Sequence, residues 1–340
     1  MFLIRPIEEK DEEALIKLSF DAQAGILSLP KDRKLLKEKI HNSILSFQKE
    51  VFAPNNEKYL FALEDTETGK IGGVCGIYSK TGVEYPTYFY EITEERLSRS
   101  TKLPNKLPKQ NVLVVKEHKH GPTENCSLLL SPDYRKEGLG KLLSLSRLLF
   151  IASNRIRFDD IIIASLRGVM NSNNKCVFWE NVGRQFFDVE ITTLHELLKH
   201  DQEFVKNILP QFPLYISLLS QEAQSVIGKP HQNSAPALNI LVNQGFNVSN
   251  EIDPFDGGPI LSAFIDQLPF VTKSQCSIIK KIHNETVESS NLIICNNSMD
   301  YRACFASIKQ FADGSISISK NVAKTLCVDA GDIVRYSEIM

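Results

Sequence analysis

Two stretches of this chain combine residue types and spacings that could do chemistry. The first is Arg135-Lys136-Glu137-Gly138-Leu139-Gly140. It follows the apolar run Leu128-Leu129-Leu130, long enough for a buried strand, which Ser131-Pro132-Asp133 stops. Beyond it Leu139, Leu142, Leu143, Leu149 and Phe150 recur at helical spacing, with Leu145 and Leu148 widening the stripe. A strand feeding a glycine-bearing turn that opens a helix can hold an anion. The first N–H groups of the helix lack internal partners, the macrodipole places partial positive charge there, and Gly138 and Gly140 let a phosphate come close. Arg135 and Lys136 would add charge at the rim. The plainer reading is an ordinary strand–turn–helix connection with a basic start, but the flanks on both sides suit a phosphate. The turn lacks the Gly-Lys-Ser/Thr ending of a P-loop and is one glycine short of a dinucleotide fingerprint. The second stretch is Lys229-Pro230-His231-Gln232-Asn233-Ser234-Ala235-Pro236, a proline-bracketed loop between two predicted helices. An imidazole held there titrates near neutrality and suits acid–base work. A lone loop histidine is more often plain surface, and the residues by themselves leave both readings open.

Other candidates carry less. His195 and His200 are five apart, off the spacing that puts two ligands on one helical face, so no metal site is expected. His118-Lys119-His120 sets two imidazoles on one strand face without a third ligand nearby, and a solvated loop is the better expectation. Trp179, the single tryptophan, belongs in a core. The turn-rich segment from Ile252 to Pro259 could line a site or make a tight connection. Seven scattered cysteines without a C-x-x-C pair suggest neither a disulfide framework nor zinc, and point to a reducing cytoplasm. A net charge of −2 argues against nucleic acid as a partner. No apolar run reaches the ~18 residues of a membrane span, and Met1 to Pro6 is too short for a signal peptide.

The elements around these residues read as α/β. Phe2 to Pro6 is a strand, and Asp11 can cap a helix carrying Ala14, Leu15 and Leu18. Leu36, Ile40, Ile44 and Phe47 mark a second helix. Tyr59–Leu63 and Ile71–Tyr78 form a hairpin pattern around Glu64–Gly69. Tyr88–Ile92 and Val112–Val115 are strand candidates separated by a polar insert, and Asp160–Ala164 reads as a buried parallel strand. Cys176 onward predicts a short helix to Gly183 and then an aromatic strand start, and Thr193–Leu209 predicts one helix. With 340 residues more than one lobe is expected. The character turns β-rich near Phe270, giving an expected division into 1–272 and a small β lobe at 273–340, whose end looks like half of a double-psi barrel.

Arg-x-x-Gly-x-Gly between a strand and a long apolar helix resembles the acyl-CoA pyrophosphate loop of the GNAT N-acyltransferases, and the order of elements is theirs. Longer blocks are similar to the arginine N-succinyltransferase family. They are I-R-P at 4–6, S-L-P-K-D at 28–32, L-E-D-T-E-T-G at 63–69 and P-D-Y-R-K-E-G-L-G-K-L-L-S-L-S-R at 132–147. In order they continue with R-G-V at 167–169, F-W-E-N-V-G-R-Q-F-F at 178–187, S-Q-E-A-Q-S-V-I-G at 220–228, H-Q-N-S-A-P-A at 231–237 and F-D-G-G-P at 255–259.

The resemblance implies a GNAT-like mixed sheet flanked by helices, with a C-terminal β-barrel-like lobe. It implies succinyl transfer from succinyl-CoA, as co-substrate, to the α-amino group of L-arginine, with no permanently bound cofactor. It implies His231 as acid/base and Leu128 as an acyl-CoA contact, beside Arg135, Lys136, Gly138 and Gly140 under the pyrophosphate. A homo- or hetero-oligomer is expected. Four positions depart from the family pattern: Leu27, Ser98, Ser165 and Ser262, the last two replacing carboxylates. A guanidinium favours carboxylate partners. Ornithine or another amine as acceptor, or an idle partner subunit, are therefore the alternatives.

Overall fold

The computed structural model describes residues 1–21, 29–96, 109–136, 138–200, 204–284 and 292–339. The chain opens with β1 (Phe2–Pro6), α1 (Glu12–Asp21) and α2 (Arg33–Gln48). Asp32 starts α2 by accepting the Leu35 N–H at 3.0 Å, and Leu36 and Ile40 form its buried stripe. The hairpin of β2 (Lys58–Asp65) and β3 (Lys70–Tyr78) follows as the sequence predicts, and then β4 (Thr87–Arg96) and β5 (Lys109–His118). Next come β6 (Thr123–Leu130), α3 (Leu139–Ser153) and β7 (Ile161–Ser165).

After β7 the chain winds through α4 (Val177–Asn181), α5 (Ile191–His200), α6 (Val205–Ile208), β8 (Leu214–Tyr215), α7 (Gln221–Val226) and α8 (Ala235–Asn243). Here one sequence expectation fails. Phe186 and Phe187 start no strand; Phe187 packs edge-on against Phe204 instead, at 5.3 Å between ring centres. Of the helix expected over 193–209, the described residues show α5 up to His200 and α6 from Val205, and residues 201–203 lie outside them. Trp179 is buried as expected, its indole N–H donating to Val189 O at 2.8 Å.

The chain returns to the sheet in β9 (Asn247–Ile252) and β10 (Pro259–Phe264), and α9 (Pro269–Thr272) follows. The last part holds β11 (Gln275–His283), β12 (Leu292–Cys295), β13 (Ala303–Ala306), β14 (Lys309–Gln310), β15 (Ile316–Ser319), α10 (Lys320–Leu326) and β16 (Ile333–Glu338). Among the described residues the strands pair in the order β14-β15-β11-β16-β12-β13-β1-β2-β3-β6-β7-β10-β9-β4-β5-β8. This is a mixed sheet: β6 and β7 run parallel, most other pairs antiparallel. The C-terminal strands join it through Ile4 opposite Ala303 but keep a core of their own around Ile279, Ile294, Ile316 and Leu326.

The two faces of the central strands are covered differently. Helix α3 packs Leu142, Leu145 and Leu149 on the face bearing Phe61, Cys75, Ile162, Ala164 and Leu261. Helices α1 and α2 cover the opposite face over β2 and β3, at Leu60 and Val74. Further along that opposite face, Phe89 of β4 sits over Ile163 and Ile260. Among the described residues no helix is long and apolar enough to cross a membrane.

Candidate active site

Strands β6 and β7 pair only at Thr123–Ile162 and Glu124–Ile163, so beyond Glu124 they part. Strand β6 is also bulged against β3. Gly76 faces Cys126 while Val74 faces Leu129, leaving one extra residue on β6, and Ser127 takes φ 53°. A bulge takes backbone groups out of the ladder. Arg147 of α3, only 2% exposed, reaches across and donates to the carbonyls of Gly76 and Cys126, each at 3.3 Å. Ser144 accepts the rest of its guanidinium through O and Oγ, both at 3.2 Å. A helix side chain therefore holds the bulge in shape. Leu128 lies on that bulge, with its side chain against the α3 core.

The glycine turn expected to hold a phosphate stands at the end of the same strand. Gly138 precedes the first turn of α3 with φ 74°, a left-handed value that costs an L side chain strain. Gly140 follows in the first turn, and Arg135 and Lys136 are exposed beside it. The Arg135 Nε–H reaches the Leu130 carbonyl at 3.4 Å. The structure thus brings Leu128, Arg135, Lys136, Gly138 and Gly140 to one end of β6.

His231 is held elsewhere, in a knot of three segments far apart in sequence. Gly168 and Pro230 form an antiparallel bridge, and the His231 N–H donates to Arg167 O at 2.7 Å. The Gly228 N–H donates to Gly257 O at 2.9 Å. The Asp256 carboxylate ties the segments together, accepting the N–H of Gly168 at 2.8 Å and of Gly258 at 2.7 Å. Asp253 Oδ1 accepts the N–H groups of Phe255 and Asp256 at 2.8 and 2.9 Å. Packing leaves no space for side chains here: a Cβ on Gly168 would lie 2.0 Å from Asp256 O, and one on Gly258 2.0 Å from Leu166 O.

His231 Nδ1 accepts the Asn233 N–H at 3.0 Å, so the neutral ring carries its proton on Nε2. Burial, and then the nearby Arg167 cation, hold its pKa below the usual histidine range. Burial raises both Asp253 and Asp256, and for Asp256 the neighbouring Asp253 charge adds to the effect.

The sequence reading missed the residues between these two groups. Tyr78 opposes Glu124, Glu124 is level with Ile163, Ile163 opposes Ser262, and Ser165 opposes Ile260. Directly opposed residues share a face, so Tyr78, Glu124, Ser165 and Ser262 lie together on the face away from α3. Lys39 of α2 reaches this face, with its Nζ 2.5 Å from Tyr78 Oη and 4.7 Å from the ring centre. Burial pushes the Glu124 carboxyl up to about 7; Asp253 adds to this, while Lys39 and His118 oppose it. Glu124 keeps some solvent access yet is strongly desolvated. Electrostatic neighbours therefore run unbroken from Lys39 through Glu124, Asp253, Asp256 and Arg167 to His231. The available signal was Thr123-Glu124-Asn125, polar residues where a central strand beside a parallel neighbour should be apolar.

His118 corrects another expectation. It ends β5 rather than sitting in a solvated loop, with its ring 4.2 Å from that of Phe89 and Nε2 3.3 Å from a Glu251 oxygen. Ser98 and Leu27 lie outside the described residues.

Comparison with known proteins agrees with this architecture. Residues 2–270 match the family described as arginine N-succinyltransferase beta subunit, and residues 275–338 match its C-terminal domain. The arginine N-succinyltransferase of Shigella sonnei is 38% identical over 278 residues, 81% of this chain and 79% of that protein. The Escherichia coli K12 protein of the same name shares the same identity and coverage. Among solved structures, arginine/ornithine succinyltransferase subunit AI from Pseudomonas aeruginosa superposes with a TM-score of 0.90 at 27% identity, covering 100% of this chain and 99% of that one. The chain belongs to the arginine N-succinyltransferase family.

Proposed function

We propose that the chain transfers the succinyl group of succinyl-CoA to the α-amino group of L-arginine by direct attack. The observation that carries this is the knot at His231, which draws together R-G-V, the V-I-G-K-P-H stretch and F-D-G-G-P in a chain whose relatives are named for that reaction. The pyrophosphate of the CoA lies on the turn at Gly138 and Gly140, with Arg135 and Lys136 at the rim. The thioester lies along the bulged part of β6 near Leu128, where backbone donors can polarise its carbonyl. The free amine attacks that carbonyl carbon, forming the C–N bond. Collapse of the tetrahedral intermediate breaks the C–S bond and releases the CoA sulfur. The Nε2–H of His231 passes to the departing sulfur as solvent returns a proton to the ring, and solvent takes up the proton of the former amine, so the histidine ends neutral. No cysteine is needed as a nucleophile.

Loss of carboxylates at Ser165 and Ser262 leaves Glu124 and Asp253 to meet the acceptor's cationic end. Because both serines line the same sheet face as Glu124, ornithine or another amine is the second reading. Residues 1–272 would carry the chemistry, with 273–340 packing against them through the Tyr301 Oη–H, which donates to Ser146 O at 2.6 Å. The matched family and the solved relative are both described as subunits, which supports an oligomer. A CoA thioester as donor and free cysteines fit a cytoplasmic setting.

The test is thiol release from succinyl-CoA and acetyl-CoA with arginine, ornithine, lysine or no amine, run beside His231→Ala. Arginine-dependent turnover of succinyl-CoA is expected, falling about 10²- to 10⁴-fold in the variant. Turnover only with another amine would move the acceptor. No turnover with any pair, while CoA still raises the melting temperature, would make the chain an idle subunit.

A further inference from the structure

We propose that Lys39 receives the distal carboxylate of the succinyl group and so makes the site choose a dicarboxylic acyl chain; this rests on succinyl-CoA being the donor. Lys39 is a half-buried cation whose Nζ has no carboxylate within ion-pair distance among the described residues. Its polar contact is Tyr78 Oη at 2.5 Å, on a phenol that burial keeps neutral. The contrast with Lys80 is direct, since that half-buried lysine pairs with Asp159. Desolvating an ammonium without a counter-ion is costly, and Lys39 has its pKa lowered by that burial. An anion brought by the substrate would remove the cost.

The anion would arrive in the right place. Cys126, the residue just before the bulge at Ser127 and Leu128, stands opposite Gly76, two residues along β3 from Tyr78 and on the same face. Lys39, Tyr78 and Cys126 thus lead step by step from α2 to the part of β6 where the thioester lies. Three carbon–carbon bonds separate the two ends of a succinyl group, a reach of about 4 Å. Glu124 lies near Lys39 but not as its ion-pair partner, and Asp253 is its other acidic neighbour. The cleft is therefore cationic at one end and acidic beyond it. The acyl carboxylate goes to the first region and the cationic acceptor to the second.

The experiment measures kcat/KM with arginine for succinyl-CoA and for butyryl-CoA, which matches the chain length but lacks the carboxylate, in the native protein, Lys39→Met and Lys39→Arg. The native protein should prefer succinyl-CoA. Lys39→Met should lose roughly 30-fold or more on succinyl-CoA, through KM, and keep its butyryl-CoA turnover. Lys39→Arg should keep the preference for succinyl-CoA. Equal loss on both donors, as expected if Lys39 only balances Glu124 or supports the fold, overturns the proposal while succinyl transfer by the native protein stands. A native protein that prefers butyryl-CoA overturns the proposal together with the donor assignment.

Discussion

The phosphate turn and the aspartate–glycine knot both depend on glycine, for opposite reasons. At the turn, Gly138 needs its left-handed φ of 74°, but the space around it is open: an added Cβ would come no nearer than 3.5 Å, to Phe305. In the knot, Gly168 and Gly258 have no such backbone demand; what they lack is room, with backbone oxygens 2.0 Å from where a Cβ would stand. The turn keeps its backbone clear for a ligand. The knot uses the same residue type to press protein against protein, which places Asp256 on two N–H groups and His231 on Arg167. On the proposed function, one serves as a docking surface and the other as a rigid mount.

The largest effect should therefore come from the knot. Gly258→Ala forces a methyl group onto the Leu166 carbonyl, and backbone on both sides must shift. A loss of more than about 4 kcal/mol, or failure to fold, is expected. Gly138→Ala should cost only about 1–2 kcal/mol, the price of a left-handed alanine. It should fold and show a raised KM for acyl-CoA. Urea melts of the two variants make the comparison, and equal stabilities would mean that the knot yields where the packing says it cannot.

A smaller effect should separate the acidic cleft from both regions through pH. Glu124 has an ordinary value of 4.5 that the fold raises to about 7. The folded state thus holds a proton more tightly than the unfolded chain. The associated stability is present in full below pH 4.5 and is lost as pH rises through 7, where a desolvated charge appears. Glu124→Gln stays neutral throughout. It should match the native protein at pH 4 and exceed it at pH 8 by up to about 2 kcal/mol, allowing for the solvent that reaches the carboxyl. Thermal melts at the two pH values read this directly. The same gap at both would show that amide packing, rather than charge, sets the difference. In the assay, the variant should bind the cationic acceptor less well.

The contrast between turn and knot also governs what the sequence makes legible. The turn is local: strand, glycines and apolar helix sit within 25 residues, 126 to 150, and the start of α3 at Leu139 lies where the leucine spacing puts it. The knot joins residues from 167 to 258, and nothing about Pro230-His231 by itself says that Gly168 lies opposite. The proline-bracketed loop makes His231 a candidate beside a plain surface reading, and the family blocks around it decide between the two. The bulge leaves no signal at Ser127, and in sequence Arg147 is one charged residue in an apolar helix, with nothing to point to its two carbonyl partners. Glu124 and Lys39 were missed because each is an ordinary charged residue in its own element, and only the registers of β3, β6 and β7 place them in one cleft. His118 was misjudged because H-K-H reads as solvated charge, whereas the long β4–β5 ladder carries it up to Phe89.

The smallest expected effect tests whether the turn is only a docking surface. Arg135 is exposed, and among the described residues its side chain makes one long contact, 3.4 Å to the Leu130 carbonyl. Arg135→Ala should leave stability within about 0.5 kcal/mol of the native protein. Its KM for acyl-CoA should rise by roughly two- to fivefold, as for one exposed ion pair, with kcat unchanged because the phosphates lie away from the reacting carbon. Salt should reduce acyl-CoA affinity more steeply in the native protein than in the variant, since one screened attraction has been removed. A fall in kcat at unchanged KM would instead mean that Arg135 helps set the end of β6, through Leu130, and that the turn shares in the mounting work otherwise left to the knot.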